Sequence, residues 1–201
     1  REAPFFVAQT RNIFRPTDVP TEVIAQGRSR TQAMLRSVMG EDCPSDALRG
    51  YQVLTGLSSH SFSAMRDLLG TPRSCSYAVQ HGGETVVAVF DYGHFSALYE
   101  AVIDEVSRFD AGIEVLTQCQ HFKMNYDTPY VRNLPTRLEI TTSSDTDTGT
   151  EIIGPVYEDP FRIELDAFHD SVTAGRPNRT TLADSLEDLL LFKEVARHFR
   201  N

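Results

Sequence analysis

His60 is the residue best suited to acid–base chemistry in this chain. It stands in Gly56-Leu57-Ser58-Ser59-His60-Ser61-Phe62, at the start of an apolar helical stretch. A side chain there can project into a cleft at the helix end. Histidine is the usual proton-transfer group near neutral pH. The competing reading is a capping or packing histidine. A second cluster is Asn125-Tyr126-Asp127-Thr128-Pro129-Tyr130-Val131-Arg132-Asn133-Leu134-Pro135. Loops that carry aromatic and polar groups on a rigid sheet often bind ligands. Arg132 can grip a carboxylate or phosphate through two parallel hydrogen bonds. The alternative is a structural excursion whose prolines fix its path.

Other chemistries lack their residues. The six histidines are His60, His81, His94, His121, His169 and His198. No two of them stand at the i, i+4 spacing of a helical metal site, so no metal is expected. His169 falls on the polar side of its helix and reads as solvated. No G-x-G occurs, so the dinucleotide fingerprint is absent; the P-loop, the G-x-S-x-G elbow and H-E-x-x-H are absent too. Cys43, Cys75 and Cys119 are odd in number and show no paired spacing. They read as small core or strand residues in a reducing cytoplasm, without a disulfide framework or a four-cysteine zinc site.

Composition sets the scale for whatever positions these groups. The chain has 201 residues, 19 basic and 28 acidic, a net charge of −9 (19 − 28). That length suits one large domain or at most two small ones, burying roughly 70% of the unfolded surface; a single domain over residues 1–201 is expected. The acidic balance argues against a nucleic-acid or anionic-membrane surface, which needs clustered Lys and Arg. No apolar run approaches the ~18 residues of a membrane span. The opening Arg1-Glu2-Ala3-Pro4 has no Met and no signal-peptide pattern. It reads as part of a longer chain.

Periodicity gives the elements. A short strand is expected over Phe5 to Gln9, then an extended Pro-punctuated connection. Helices follow over residues 28–39, from Ser45 to about Leu57, and from about Ser59 to Leu69, the last stopped by Gly70-Thr71-Pro72. Strands are expected at Ser74–Gln80 and Thr85–Asp91, paired as a hairpin. Further strands run over Ser96–Ile103, Gly112–Gln118, Gln120–Asn125 and Arg137–Thr142. Residues 143–149 read as a mobile polar tip. Short connections favour antiparallel pairing. Phe161, Leu165, Phe168 and Val172 mark one helix face. Leu182, Leu186, Leu189 and Leu190, with Ala196 and Phe199, mark the core face of a last helix that Thr181 can cap. The expected class is α+β: a mainly antiparallel open sheet with helices on one face. Val87, Val89, Leu98 and Val115 belong either beneath the helices or on an exposed sheet face open to a second copy.

With these elements in order, the chain resembles the C-terminal domain of the glucose–fructose oxidoreductase/inositol dehydrogenase (Gfo/Idh/MocA) family. Three stretches carry the likeness: Gly56 to Gly70 with Thr71-Pro72, similar to the helix bearing the family's active-site histidine; Phe109 to Val115, similar to a mid-sheet strand; and Phe161 to Phe199, similar to the closing helix pair. The resemblance implies a dihydrodipicolinate-reductase-like C-terminal fold. It also implies a partner Rossmann domain, outside this chain, that binds NAD or NADP, and a homo-oligomer formed through the sheet. The implied activity is hydride transfer to or from a sugar, polyol or related alcohol, with none in this part alone, because the cofactor carries the hydride chemistry.

The family's frequent Asp-x-x-x-His pattern matches here only at His60. Gly56 stands four residues earlier, and Ser63 occupies a second common Asp position. Losing the carboxylate removes the partner that orients the imidazole, so either Ser58, Ser59 or another group substitutes, or the chemistry differs from that of the polyol dehydrogenases. The implied site is His60 as the catalytic group, with Ser59, Tyr126, Tyr130, Arg132 and Asn133 as substrate contacts. A non-catalytic ligand-binding or interaction module of the same fold is the alternative, and an unrelated acidic α+β domain a third.

Overall fold

Glycine and proline punctuation delimits the first helices. The structure is a computed structural model and describes residues 2–3, 19–106 and 109–200; the strand expected over Phe5 to Gln9 lies outside them. Helix α1 (Thr21–Met39) follows Pro20 and ends at Gly40, where φ is 96°. It starts earlier than the expected residue 28. Its first half is polar and mostly exposed, so no apolar period announces it; only Leu35 and Met39 near its end are buried. Helix α2 (Ser45–Gly56) buries Ala47, Leu48, Tyr51, Val53 and Leu54. Helix α3 (Ser59–Leu69) ends at Gly70, φ 81°, the left-handed turn that glycine makes at least cost.

By contacts the chain groups into two compact units, residues 19–106 with 182–200, and residues 2–3 with 109–181. In the first, strands β2 (Ser74–His81), β3 (Thr85–Asp91) and β4 (Ser96–Val102) pair antiparallel, with Val79 opposite Val87 and Ala88 opposite Tyr99. The β2–β3 turn shows why glycine is required there. An added Cβ at Gly83, φ 68°, would stand 2.3 Å from the Arg49 Cβ and 2.7 Å from the Asp46 carbonyl oxygen, so the turn lies directly on α2. One sheet face, with Val86, Ala88, Phe90, Tyr99 and Ala101, forms the core with Leu48, Leu54 and Phe62 of α2 and α3 and with Phe192 and Val195. Each Val, Leu or Phe among these contributes about 1.5–3 kcal/mol on burial. On the reverse face Val87 and Val89 are half-buried and Leu98 is 73% exposed.

Phe192 and Val195 belong to α5 (Leu182–Arg197), which runs into a 3₁₀ turn at His198–Arg200. The expected core face of α5 is corrected here. Leu182, Leu186, Leu189 and Leu190 are exposed, and Asp188, Leu191, Phe192, Val195 and Ala196 are buried instead. Ala196 and Phe199 do face inward as expected. Asp184 and Asp188 are drawn to a buried arginine on α3, which turns the leucine stripe outward.

In the second unit the two-residue β1 (Glu2–Ala3) pairs with β5 (Asp110–Leu116), and β6 (Gln120–Tyr126), β7 (Thr136–Ser143) and β8 (Thr148–Val156) continue the antiparallel order. Strand β8 is absent from the sequence reading. Of the expected polar tip at 143–149, residues 144–147 form the hairpin turn, closed by the Ser144 amide on the Asp147 carbonyl at 2.8 Å, and the rest belongs to the two strands. Thr, Gly and Pro in TGTEIIGPV hide the strand, and every residue of it is exposed. Ile113, Met124, Leu138 and Ile153 align across one face, and Glu114, Lys123, Glu139 and Ile152 across the other. Helix α4 (Pro160–Ala174) is capped by Asp159, whose carboxylate accepts the Phe161 amide at 3.0 Å, and ends at a left-handed Gly175. Its Phe161, Leu165, Phe168 and Val172 form the expected stripe, yet all four are exposed and no residue of α4 is buried. Periodicity fixes a stripe but not what covers it. Among the described residues of this unit only Ala111 and Thr128 are buried. The architecture is α+β, with antiparallel strands in open sheets.

Candidate functional site

The α2–α3 corner is built around Ser58. Its amide donates to the Leu54 carbonyl at 3.1 Å, and its own carbonyl accepts from the Phe62 amide at 2.9 Å, opening α3. Its hydroxyl is fully buried, accepts from the Tyr99 hydroxyl and donates to the Val53 carbonyl at 3.4 Å. Phe62 drives the inner face of α3 into the core. Its ring meets Phe90 and Tyr99 edge-on at 5.3 and 4.9 Å and tilts against Phe192 at 4.9 Å. Two residues apart on a helix means opposite sides. His60 is accordingly exposed in the first turn of α3, with Ser59 half-buried beside it. A Cβ built on Gly56 meets nothing within 4 Å, so a side chain four residues before the histidine has room.

Farther along the inner face is Arg66, which the sequence reading did not single out. Its side chain is 7% exposed. Nε donates to an Asp188 carboxylate oxygen at 2.7 Å, Nη1 to Asp184 at 2.9 Å, and Nη2 to the Asp184 backbone carbonyl at 2.9 Å. The hydrogen bond to Asp188 raises the guanidinium pKa most; desolvation opposes it, and the Asp184 bond adds to it. One signal was available: an arginine interrupting the Phe62, Met65, Leu69 stripe, facing an Asp pair at i, i+4 on the last helix. At the far end of α3 the Tyr92 hydroxyl donates to the Gly70 carbonyl at 3.0 Å.

In the other unit the residues of the 126–135 segment part company. Tyr126 lines a shallow cleft of about 290 Å3 with Phe109, Asp110, Asn125, Asp127 and Pro135. Tyr130, Arg132 and Asn133 gather instead on the link from β8 to α4. Asn133 takes a left-handed φ of 61°, which asparagine tolerates, and its side-chain amide donates to the Tyr157 carbonyl at 2.8 Å. Arg132 pairs with the capping Asp159 at 3.7 Å, and its side chain is otherwise largely in solvent. The Tyr130 and Phe161 rings stand 6.1 Å apart. Tyr130, Arg132 and Asn133 thus fasten their own loop to the start of α4.

Thiol chemistry is distributed unevenly. Cys43 and Cys75 are buried and Cys119 is exposed, all three free. Burial, aided by the charge of Glu194, pushes the Cys75 thiol up to about 11, so it stays protonated at neutral pH. Among the described residues no group of three or more His, Cys, Asp or Glu is placed to hold a metal ion. Strands β2 to β4 pair antiparallel, as do β1 with β5 and β5 through β8. No described helix is long and apolar enough to cross a membrane.

No family model and no curated protein matches the chain. Solved structures do. A point mutant of the 3-ketoreductase KijD10 from Actinomadura kijaniata, in complex with TDP-benzene and NADP, is 18% identical with a TM-score of 0.57, over 73% of this chain and 47% of its own. Two proteins provisionally described as oxidoreductases match similarly. One, from Desulfitobacterium hafniense and described as NADPH-dependent, is 14% identical with a TM-score of 0.62, over 75% of this chain and 48% of its own. The other, yvaA from Bacillus subtilis, is 14% identical with a TM-score of 0.57, over 73% and 48%. The chain therefore spans about half the length of the structures it matches. The chain shares its fold with these oxidoreductases over about three quarters of its length, as the resemblance implied.

Proposed function

We propose that this chain is the substrate-binding and oligomerisation part of an NAD(P)-dependent oxidoreductase acting on a sugar, polyol or related alcohol. The observation that carries the reading is His60. It is the exposed residue in the first turn of a helix whose other face is locked into a core, in a fold shared with oxidoreductases. Nicotinamide supplies the hydride chemistry, and a Rossmann domain outside the residues of this chain brings it. His60 accepts the alcohol proton as hydride leaves, or returns it in reduction. Ser59 stands beside it, and Tyr126, Tyr130, Arg132 and Asn133 are the candidate substrate contacts. This chain alone is inactive on this reading. The free thiols fit a reducing, cytoplasmic setting. The reverse face of the β2–β4 sheet, with Tyr77 and Leu98 exposed, is the surface offered to a second copy; a strict monomer by light scattering counts against it.

The test is His60→Ala in full-length protein, assayed for NAD+ or NADP+ reduction across a panel of sugars and polyols. Loss of a general acid–base group lowers kcat by about 10²–10⁴-fold. Unchanged turnover with intact folding defeats the assignment. The second reading, a non-catalytic module, draws on Gly56 and Ser63 where the family often has carboxylates. Gly56→Asp separates the two, because the space around that position is open. Under the catalytic reading it changes the pH profile of turnover. A module shows turnover in neither form.

A further inference from the structure

A guanidinium buried between two carboxylates contributes little net stability, because desolvation offsets most of the Coulomb attraction and an apolar set of similar volume does as well or better. What a planar fork does provide is fixed geometry. Arg66 directs three donors to Asp184 and Asp188 of α5 from the inner face of α3, six residues after His60. Two further polar contacts hold the same helix at its ends, Tyr99 on Ser58 and Tyr92 on the Gly70 carbonyl. The clasp also decides which side of α5 faces inward, since Asp188 is buried while Leu186 and Leu190 are exposed.

We propose that Arg66 is a positioning residue for His60: by gripping Asp184 and Asp188 it sets the rotation and depth of α3 against α5, and so the place where the imidazole stands. This rests on the reading of His60 as the proton-transfer group. Lysine keeps the charge at position 66 but cannot reproduce the fork. Small displacements of a reacting group cost large factors in rate.

The experiment is a double-mutant cycle in full-length protein, using Arg66→Lys, His60→Ala and the pair, with any sugar or polyol of the panel that the wild type oxidises. Arg66→Lys is expected to lower kcat about ten-fold with KM nearly unchanged. In the His60→Ala background it has no further effect. Equal losses in both backgrounds would make Arg66 merely structural and overturn the proposal. If His60→Ala alone changes nothing, the acid–base reading falls instead. A second readout needs no turnover: the His60 ring-proton NMR signal moves in Arg66→Lys and in the apolar pair Arg66→Met/Asp188→Leu, while thermal unfolding stays cooperative. An unmoved signal in both folded variants refutes the positioning role.

Discussion

The helix-backed unit and the bare-sheet unit follow the same patterning rules with opposite results. In residues 19–106 and 182–200, alternate strand positions Val86, Ala88 and Phe90 meet helices that carry Leu48, Leu54, Phe62 and Phe192, and all of these are buried. Among the described residues of 109–181, an equally regular row of Ile113, Met124, Leu138 and Ile153 is half-buried or exposed, and the apolar stripe of α4 is exposed. A core requires two layers. Among the described residues the first unit contains both of its layers, and the second leaves its apolar positions only partly covered.

The sharpest way to break this contrast is a pair of truncations. Phe62→Ala removes a fully buried ring with three aromatic neighbours and is expected to cost about 3–5 kcal/mol. Phe168→Ala, at a position 65% exposed, is expected to cost less than about 0.5 kcal/mol. Urea unfolding of both variants measures the difference; equal costs would show that α4 is covered in solution.

Alkaline titration gives a smaller effect confined to the helix-backed unit. Burial raises the pKa of Tyr51, Tyr92 and Cys75, the last to about 11. An acid whose folded pKa lies above its unfolded value binds more protons when folded. Its contribution is therefore constant below the unfolded value, near 9 for Cys75, and declines as pH rises toward 11. Denaturant midpoints measured across that window should fall, and Cys75→Ser should flatten part of the fall. The smallest effect is on labelling. Cys119 should react with a thiol reagent in the native protein, whereas Cys43 and Cys75 react only on unfolding; the stoichiometry before and after denaturation tells them apart.

Where local chemistry alone decides, sequence was sufficient. The Gly70 stop and the β2–β3 hairpin with its paired glycines lie where residue type places them. Strand β8 was illegible because Thr148 to Val156 carries no alternating burial, only pairing to β7. The α5 face was misread because leucine periodicity says nothing of a distant arginine; Arg66 and Asp188 are 122 residues apart in the chain. For the site, His60 could be singled out by type and neighbourhood. Ser58, which the sequence offers only as a stand-in for the missing carboxylate, builds the buried corner beneath it through Tyr99.

That buried hydroxyl pair also ties two distant positions together in any family of related chains. Exchanging Tyr99 for Phe alone, or Ser58 for Ala alone, breaks this pair where it is buried, so either exchange by itself carries the penalty of a lost hydrogen bond. Both together carry far less. Homologues should accordingly drift between Ser with Tyr and Ala with Phe as a unit, passing quickly through the mixed states.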